Sequence, residues 1–214
     1  QQIRDVEAKY AKELADGSWV NLTPTGKPSE LTKGQWVQVR TDNFKKWFGD
    51  LENDPANASK VVNDKTGEPL VVYHGTGADF SIFDLGRGGE ATGNSAGERG
   101  FFFVDNSEMA SAYAENSGKK SNVMPVYLAL SNPKRRTFRD IHQLDYFIST
   151  NGIADEGMIA KLNTGETVYV TNDPSAVKSA IGNVGTFDNA NNDIRFSRPV
   201  ELDEITDFSK TGKV

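Results

Sequence analysis

The chain of 214 residues contains two histidines, and one of them, His74, ends the apolar run Val71-Val72-Tyr73 and is followed by Gly75 and Thr76. A strand tip can aim a side chain into a cleft, and glycine beside it lets a flat ligand reach the main chain. A second group is Gly100-Phe101-Phe102-Phe103-Val104-Asp105, followed at a helix's length by Ser111-Ala112-Tyr113. A third is Glu166, a carboxylate at the head of Thr167-Val168-Tyr169-Val170. Between the first two lies the loop 84–99, which carries Gly86, Gly88, Gly89, Gly93 and Gly97 with Arg87 and Arg99. Such a loop can close over a phosphorylated ligand, although it matches neither the P-loop nor the dinucleotide-binding glycine pattern. Each group alone is ordinary, since strand-end histidines commonly sit at the surface; together they outline a site.

Short β segments separated by glycine must position these groups. Strands are expected at 70–74, 100–104, 123–130 and 167–171, with helices at 106–115, 139–149 and 174–181. Asn106 and Ser107 suit an N-cap, and Pro174 suits a first helical position with Gly182 as a stop. Ahead of this region, Ile3, Val6, Tyr10 and Leu14 recur at steps of three and four, predicting an amphipathic helix closed by Gly17. Trp36-Val37-Gln38-Val39 alternates like a short strand. Asp42 or Asn43 caps a helix bearing Phe44, Trp47, Phe48 and Leu51. Strands and helices in this irregular order predict an α+β domain.

Composition narrows the function classes. No apolar run reaches the length of a membrane span, and no signal-peptide pattern opens the chain. The absence of cysteine excludes disulfides, zinc-thiolate sites and thiol nucleophiles. A net charge of −6 argues against broad nucleic-acid binding, which depends on neutralising many phosphates. One basic cluster, Lys134, Arg135, Arg136 and Arg139, reads as a solvated turn or as a contact to an acidic partner. The chain opens on Gln1 and reads as a piece of a longer polypeptide.

Three segments resemble the ADP-ribosyltransferase superfamily, on its histidine-tyrosine-glutamate branch with diphtheria toxin and the poly(ADP-ribose) polymerases. They are 38–50, 67–76 with its Tyr73-His74-Gly75-Thr76, and Lys178-Ser179-Ala180-Ile181-Gly182-Asn183 with the Asp193-Ile194-Arg195-Phe196 tail. The similarity is closest to the ADP-ribosyltransferase-like domains of phage and prophage polyvalent proteins. It implies a split β-sandwich with flanking helices, and a division into an N-terminal helical segment 1–55, a catalytic domain 56–200 and a tail 201–214.

The resemblance also implies NAD as substrate, with no metal, and single transfer of ADP-ribose to a macromolecular acceptor, protein rather than nucleic acid. His74 would bond a ribose hydroxyl of NAD, and the backbone of Gly75 would hold the nicotinamide amide. Thr76 and Arg87 would add contacts. Phe102 stands where the polymerases carry tyrosine, and Tyr113 aligns with the second aromatic wall. The amide-binding serine of the polymerases falls at Ala110, with Ser111 adjacent. Glu166 would be the catalytic carboxylate. Counting back from Asp173-Pro174 puts Val168 there instead, on the same strand face as Glu166; Glu156 and Asp155 are the fallback carboxylates. The same donor site would serve an NAD glycohydrolase or a non-catalytic NAD-binding module. The expected setting is a soluble phage-borne or delivered effector acting in a bacterial cell.

Overall fold

Thr32 and Gln35 close a reciprocal cap, and that local chemistry decides the first surprise in the computed structural model, which describes residues 1–17, 23, 26–88, 95–115, 122–153, 156–181 and 187–195. The Thr32 side chain accepts from the Gln35 N–H, while the Gln35 side chain accepts from the Thr32 N–H at 3.0 Å. The strand expected at Trp36 is therefore a helix, α3, Lys33–Gln38, with Trp36, Val37 and Gln38 all buried. The next helix, α4, Asp42–Phe48, is capped by Thr41 rather than by Asp42 or Asn43. The expected N-terminal helix forms as two pieces, α1, Gln2–Lys9, and α2, Ala11–Asp16, broken at Tyr10 and closed by Gly17 at φ 79°.

Seven strands follow among the described residues: β1, Val72–Thr76; β2, Phe101–Val104; β3, Asn122–Leu128; β4, Lys134–Phe138; β5, Met158–Leu162; β6, Thr167–Thr171; and β7, Val177–Ser179. Helix α5, Ser107–Glu115, follows β2, and α6, Ile141–Asn151, follows β4. Among the described residues the sheet order is β4-β5-β6-β2-β1-β3-β7, parallel only at β4–β5. Two expectations are corrected here. The basic cluster is not a turn: its first three residues lie in β4. The helix expected at 174–181 is one 3-10 turn, Pro174–Ala176, capped by Asp173 and followed by β7; Gly182 lies outside the described residues.

The sheet divides between β1 and β2, which share the single register pair Tyr73↔Val104. On one side stands β4-β5-β6-β2, on the other β1-β3-β7. The two halves fold toward each other: a Cβ on Gly157, just before β5, would lie 3.1 Å from the Leu130 side chain, just after β3. In a flat sheet β3 and β5 would stand about 19 Å apart, at four strand spacings. Val72, Phe101, Phe103, Met124, Val126, Ile159, Tyr169 and Val177 share the core between the halves. On the opposite faces, α5 and α6 cover Val104, Ala160, Val168 and Val170, and the N-terminal helices cover Tyr127. Phe44 packs edge-on against Tyr127 at 5.2 Å, and the Trp47 indole N–H donates to the Ser175 carbonyl at 3.0 Å. No helix among the described residues is long and apolar enough to cross a membrane.

Candidate active site

Pro125 fixes which backbone groups face the division between β1 and β2. It has no N–H, and its carbonyl accepts from the Ala180 N–H on the β7 side at 3.0 Å. Its pairing with Tyr73 is therefore a non-hydrogen-bonded pair of the β1–β3 ladder. Val72 and His74 bond to β3, so the N–H and C=O of Tyr73 and Gly75 point toward β2. At Tyr73 they meet Val104. A continued ladder would join Gly75 to Phe102, but the pairing has ended, and the Phe102 carbonyl faces His74 Nδ1 at 2.8 Å instead. The seam is open at Gly75.

That contact sets the state of the imidazole. A carbonyl only accepts, so Nδ1 carries the proton and Nε2 is left as the acceptor of the neutral ring. Phe83, Phe103 and Phe80 surround the ring with centroids at 5.0, 5.5 and 6.0 Å. Burial among them pushes the His74 pKa below its ordinary value, against the opposing pull of the Phe102 carbonyl. The ring is held neutral. Phe80 and Phe83 were missed in the sequence, where their spacing in a loop carries no periodic signal.

Helix α5 closes the seam from the other face. A Cβ on Gly75 would stand 1.8 Å from the Ala110 carbonyl oxygen, so this approach requires glycine. Tyr113 lies on the same helix and keeps 38% of its surface exposed. Its hydroxyl pKa is raised first by burial, then by the negative charges of Asp145 and Glu166. Tyr113 and Glu166 thus share one neighbourhood. Asp145, on α6, was not singled out in the sequence. Phe102 is partly buried against the α5 side of the sheet.

Glu166 is held onto β5 by its carbonyl, which accepts from the Leu162 N–H at 2.9 Å. A hydrogen bond from the Thr164 hydroxyl, and then one from its own backbone N–H, lower the carboxylate pKa. Glu166 is partly buried, and its Oε2 is shielded from solvent with no hydrogen-bond partner among the described residues. Continuing the β2–β6 register places Glu166 level with Asn106, whereas the residue of β6 level with Phe102 is Val170. Glu166 and Gly75 are thus about 13 Å apart along the strands and about 10 Å across them in a flat sheet. The site has two parts, a seam at His74, Gly75 and Phe102 and a mouth at Tyr113 and Glu166.

The remaining candidates stand around these parts. The Thr76 hydroxyl accepts from the Ala78 N–H at 3.2 Å and turns the chain after β1. Ser111, partly buried, is one residue past Ala110 and so about 100° round the helix. Arg87 ends an exposed 3-10 turn, Leu85–Arg87. The loop is pinched just beyond it, where a Cβ on Gly88 would meet the Gly97 carbonyl oxygen at 1.9 Å; Gly89 and Gly93 lie outside the described residues. Glu156 is exposed ahead of β5, and Asp155 is outside the described residues. A separate shallow groove between α4 and the turn before β1 contains none of the site residues. No group of three or more His, Asp or Glu placed to hold a metal ion occurs among the described residues.

Residues 64–156 match the family model for the ADP-ribosyltransferase in polyvalent proteins. The ADP-ribosyltransferase match spans β1, β2, α5, β3, β4 and α6, and so takes in His74, Gly75, Thr76, Arg87, Phe102, Ser111 and Tyr113. Its limit falls inside one continuous sheet. Strands β5, β6 and β7 lie beyond it, as does Glu166, although β6 pairs directly with β2. The matched family is described as an ADP-ribosyltransferase, which supports transfer of ADP-ribose as the general activity. No curated protein and no solved structure matches the chain.

Proposed function

We propose that this chain is an NAD-dependent mono-ADP-ribosyltransferase that modifies a polypeptide acceptor. The observation that carries the reading is the open seam: Gly75 presents N–H and C=O where the β1–β2 ladder has ended, beside a histidine held neutral. A primary amide needs one donor and one acceptor side by side, and Gly75 offers both to nicotinamide. Tyr113 supplies an aromatic face for the nicotinamide ring. His74 Nε2 accepts from a ribose hydroxyl, and Arg87 is the candidate for the phosphates.

The dinucleotide then runs from the seam toward the mouth. The bond between the ribose C1′ and the nicotinamide nitrogen breaks with its electron pair leaving on nicotinamide, which departs neutral. Positive charge develops on the ribose, and the Glu166 carboxylate is the group we assign to stabilise it, a role that requires the bound ribose and the Glu166 side chain to bridge the separation between seam and mouth. The acceptor nucleophile bonds to C1′ and gives its proton to Glu166 or to water. The lowered carboxylate pKa suits this role, because charge stabilisation requires the ionised form.

The test is incubation of the chain with NAD labelled in the adenylate half, with and without bacterial cell extract, following nicotinamide and label. Transfer predicts nicotinamide release with label on protein. Free ADP-ribose alone would make the chain a glycohydrolase, and NAD binding without nicotinamide release would make it a binding module.

A further inference from the structure

The basic cluster is left unused by the site just described. Its first three residues lie on the outer edge of the described sheet, since among the described residues β4 pairs only with β5. Lys134, Arg135, Arg136 and Thr137 are all exposed, and only Phe138 is buried. The Lys134 N–H donates to the Gly157 carbonyl, and the Phe138 carbonyl accepts from the Asn163 N–H. In a parallel ladder these bonds assign residues 134, 136 and 138 to β5. The N–H and C=O of Arg135 and Thr137 therefore point outward along an open edge. Cations flank that edge on both faces of the sheet: Lys134 and Arg136 on the α6 side, where Arg136 lies over the Phe147 ring at 4.6 Å, and Arg135 and Lys161 on the other. Among the described residues Lys134, Arg135, Arg136 and Lys161 form no ion pair, while Arg139 pairs with Asp140 at 2.8 Å.

We propose that β4 is a docking edge for an extended acidic segment of a polypeptide, which adds to the sheet as a further strand. This names the acceptor class and so rests on the transferase reading. The chain carries a net charge of −6, so a local edge of unpaired cations is opposite in sign to the molecule as a whole. Two copies of the edge repel each other, whereas an acidic strand satisfies both the outward backbone groups and the side chains. A nucleic acid would leave the outward N–H and C=O groups of Arg135 and Thr137 without strand partners. Glu166 lies level with Leu162 and Phe138, so the added strand would run about 14 Å from it, at three strand spacings. A residue leaving the end of that strand is within reach of the mouth.

The test uses a fluorescein-labelled (Glu-Val)4 peptide with the full chain, read by anisotropy without NAD, beside a (Lys-Val)4 peptide and a ten-nucleotide thymidine strand. The acidic peptide should bind, weaken in 0.5 M salt, and slow hydrogen exchange at the Arg135 and Thr137 amides. R135E/R136E should weaken binding at least tenfold. Thr137→Pro, which removes an outward N–H without changing charge, should do the same. Failure of the acidic peptide to bind at 1 mM, tighter binding of the oligonucleotide, or unchanged exchange at both amides would overturn the docking edge. Nicotinamide release into water should be unchanged in R135E/R136E. A chain that binds the peptide but releases no nicotinamide overturns the transferase reading and leaves the edge; release without peptide binding does the reverse.

Discussion

His74 Nδ1 stands 2.8 Å from the carbonyl oxygen of Phe102, the residue that would be the ladder partner of Gly75 if β1 and β2 stayed paired. One side chain thereby takes over a main-chain acceptor and leaves a main-chain donor and acceptor open beside it. The opening is a consequence of sheet geometry, with the imidazole as its wedge.

Because the His74 pKa is depressed by burial, the ring is neutral at pH 7 and Nε2 accepts. NAD affinity should hold above the ordinary histidine pKa, about 6.5, and fall as pH drops through the lowered value and Nε2 gains a proton. Stability follows the same sign: the unfolded chain takes up the proton first, so folding weakens as pH falls through that window. His74→Asn retains an amide donor for the Phe102 carbonyl while removing the Nε2 acceptor. It should lower the melting temperature modestly through lost packing on the three phenylalanines, lower NAD affinity about tenfold, near 1.4 kcal/mol, and flatten the pH dependence, measured by titration calorimetry from pH 5 to 8.

Gly75→Ala places a methyl 1.8 Å from the Ala110 carbonyl oxygen. That obstacle is helix backbone, so α5 must move by more than an ångström. A loss of about 1–3 kcal/mol or more is expected, seen as a lower denaturation midpoint. Since α5 also carries Tyr113, NAD binding should fall with it. Wild-type stability would show that α5 does not press on β1 as described.

Glu166→Gln should lower nicotinamide release about a hundredfold or more while NAD affinity stays within a few-fold, because the carboxylate acts on charge present only in the transition state. Thr164→Val removes the leading cause of the lowered Glu166 pKa. The acid limb of the rate profile should move to higher pH with the plateau rate little changed. If Glu166→Gln leaves the rate intact, Glu156 and Asp155 become the carboxylates to test.

The strands that carry the candidate site residues were more legible in the sequence than the frame around them. Thr167–Thr171 and the His74-Gly75 tip were legible because an apolar run ended at a chemically distinct residue. The cluster Lys134, Arg135, Arg136 and Arg139 reads in sequence as a solvated turn or a contact to an acidic partner and not as a strand, because four of the five side chains of Lys134–Phe138 are exposed and edge pairing leaves no hydrophobic alternation. Trp36 to Val39 alternates like a strand, yet the Thr32 and Gln35 cap supplies a nucleus that alternation cannot counter. At 174–181 the proline does begin a helical turn, but β3 recruits the following residues as a strand. Residue spacing alone does not reveal that Phe80 and Phe83 meet His74, which depends on how the loop returns.

Residues 1–55 were read as a segment apart from the catalytic domain, and their packing makes a sharp prediction about separating them. Phe44 stacks on Phe48 at 5.0 Å and packs edge-on against Tyr127 of β3 and Phe187, while Trp47 bonds the Ser175 carbonyl. Arg40 lies over the Trp36 ring at 3.7 Å and reaches Glu68 at 3.8 Å, both side chains nearly buried. Phe44→Ala should cost about 3–5 kcal/mol. Arg40→Met, which leaves the Glu68 carboxylate buried without its cation, should cost about as much. Deleting residues 1–55 removes both sets of contacts and bares the back of β3, so the remaining chain should lose cooperative unfolding and NAD binding together. A deletion that melts cooperatively and binds NAD like the full chain would establish 56–200 as an autonomous domain.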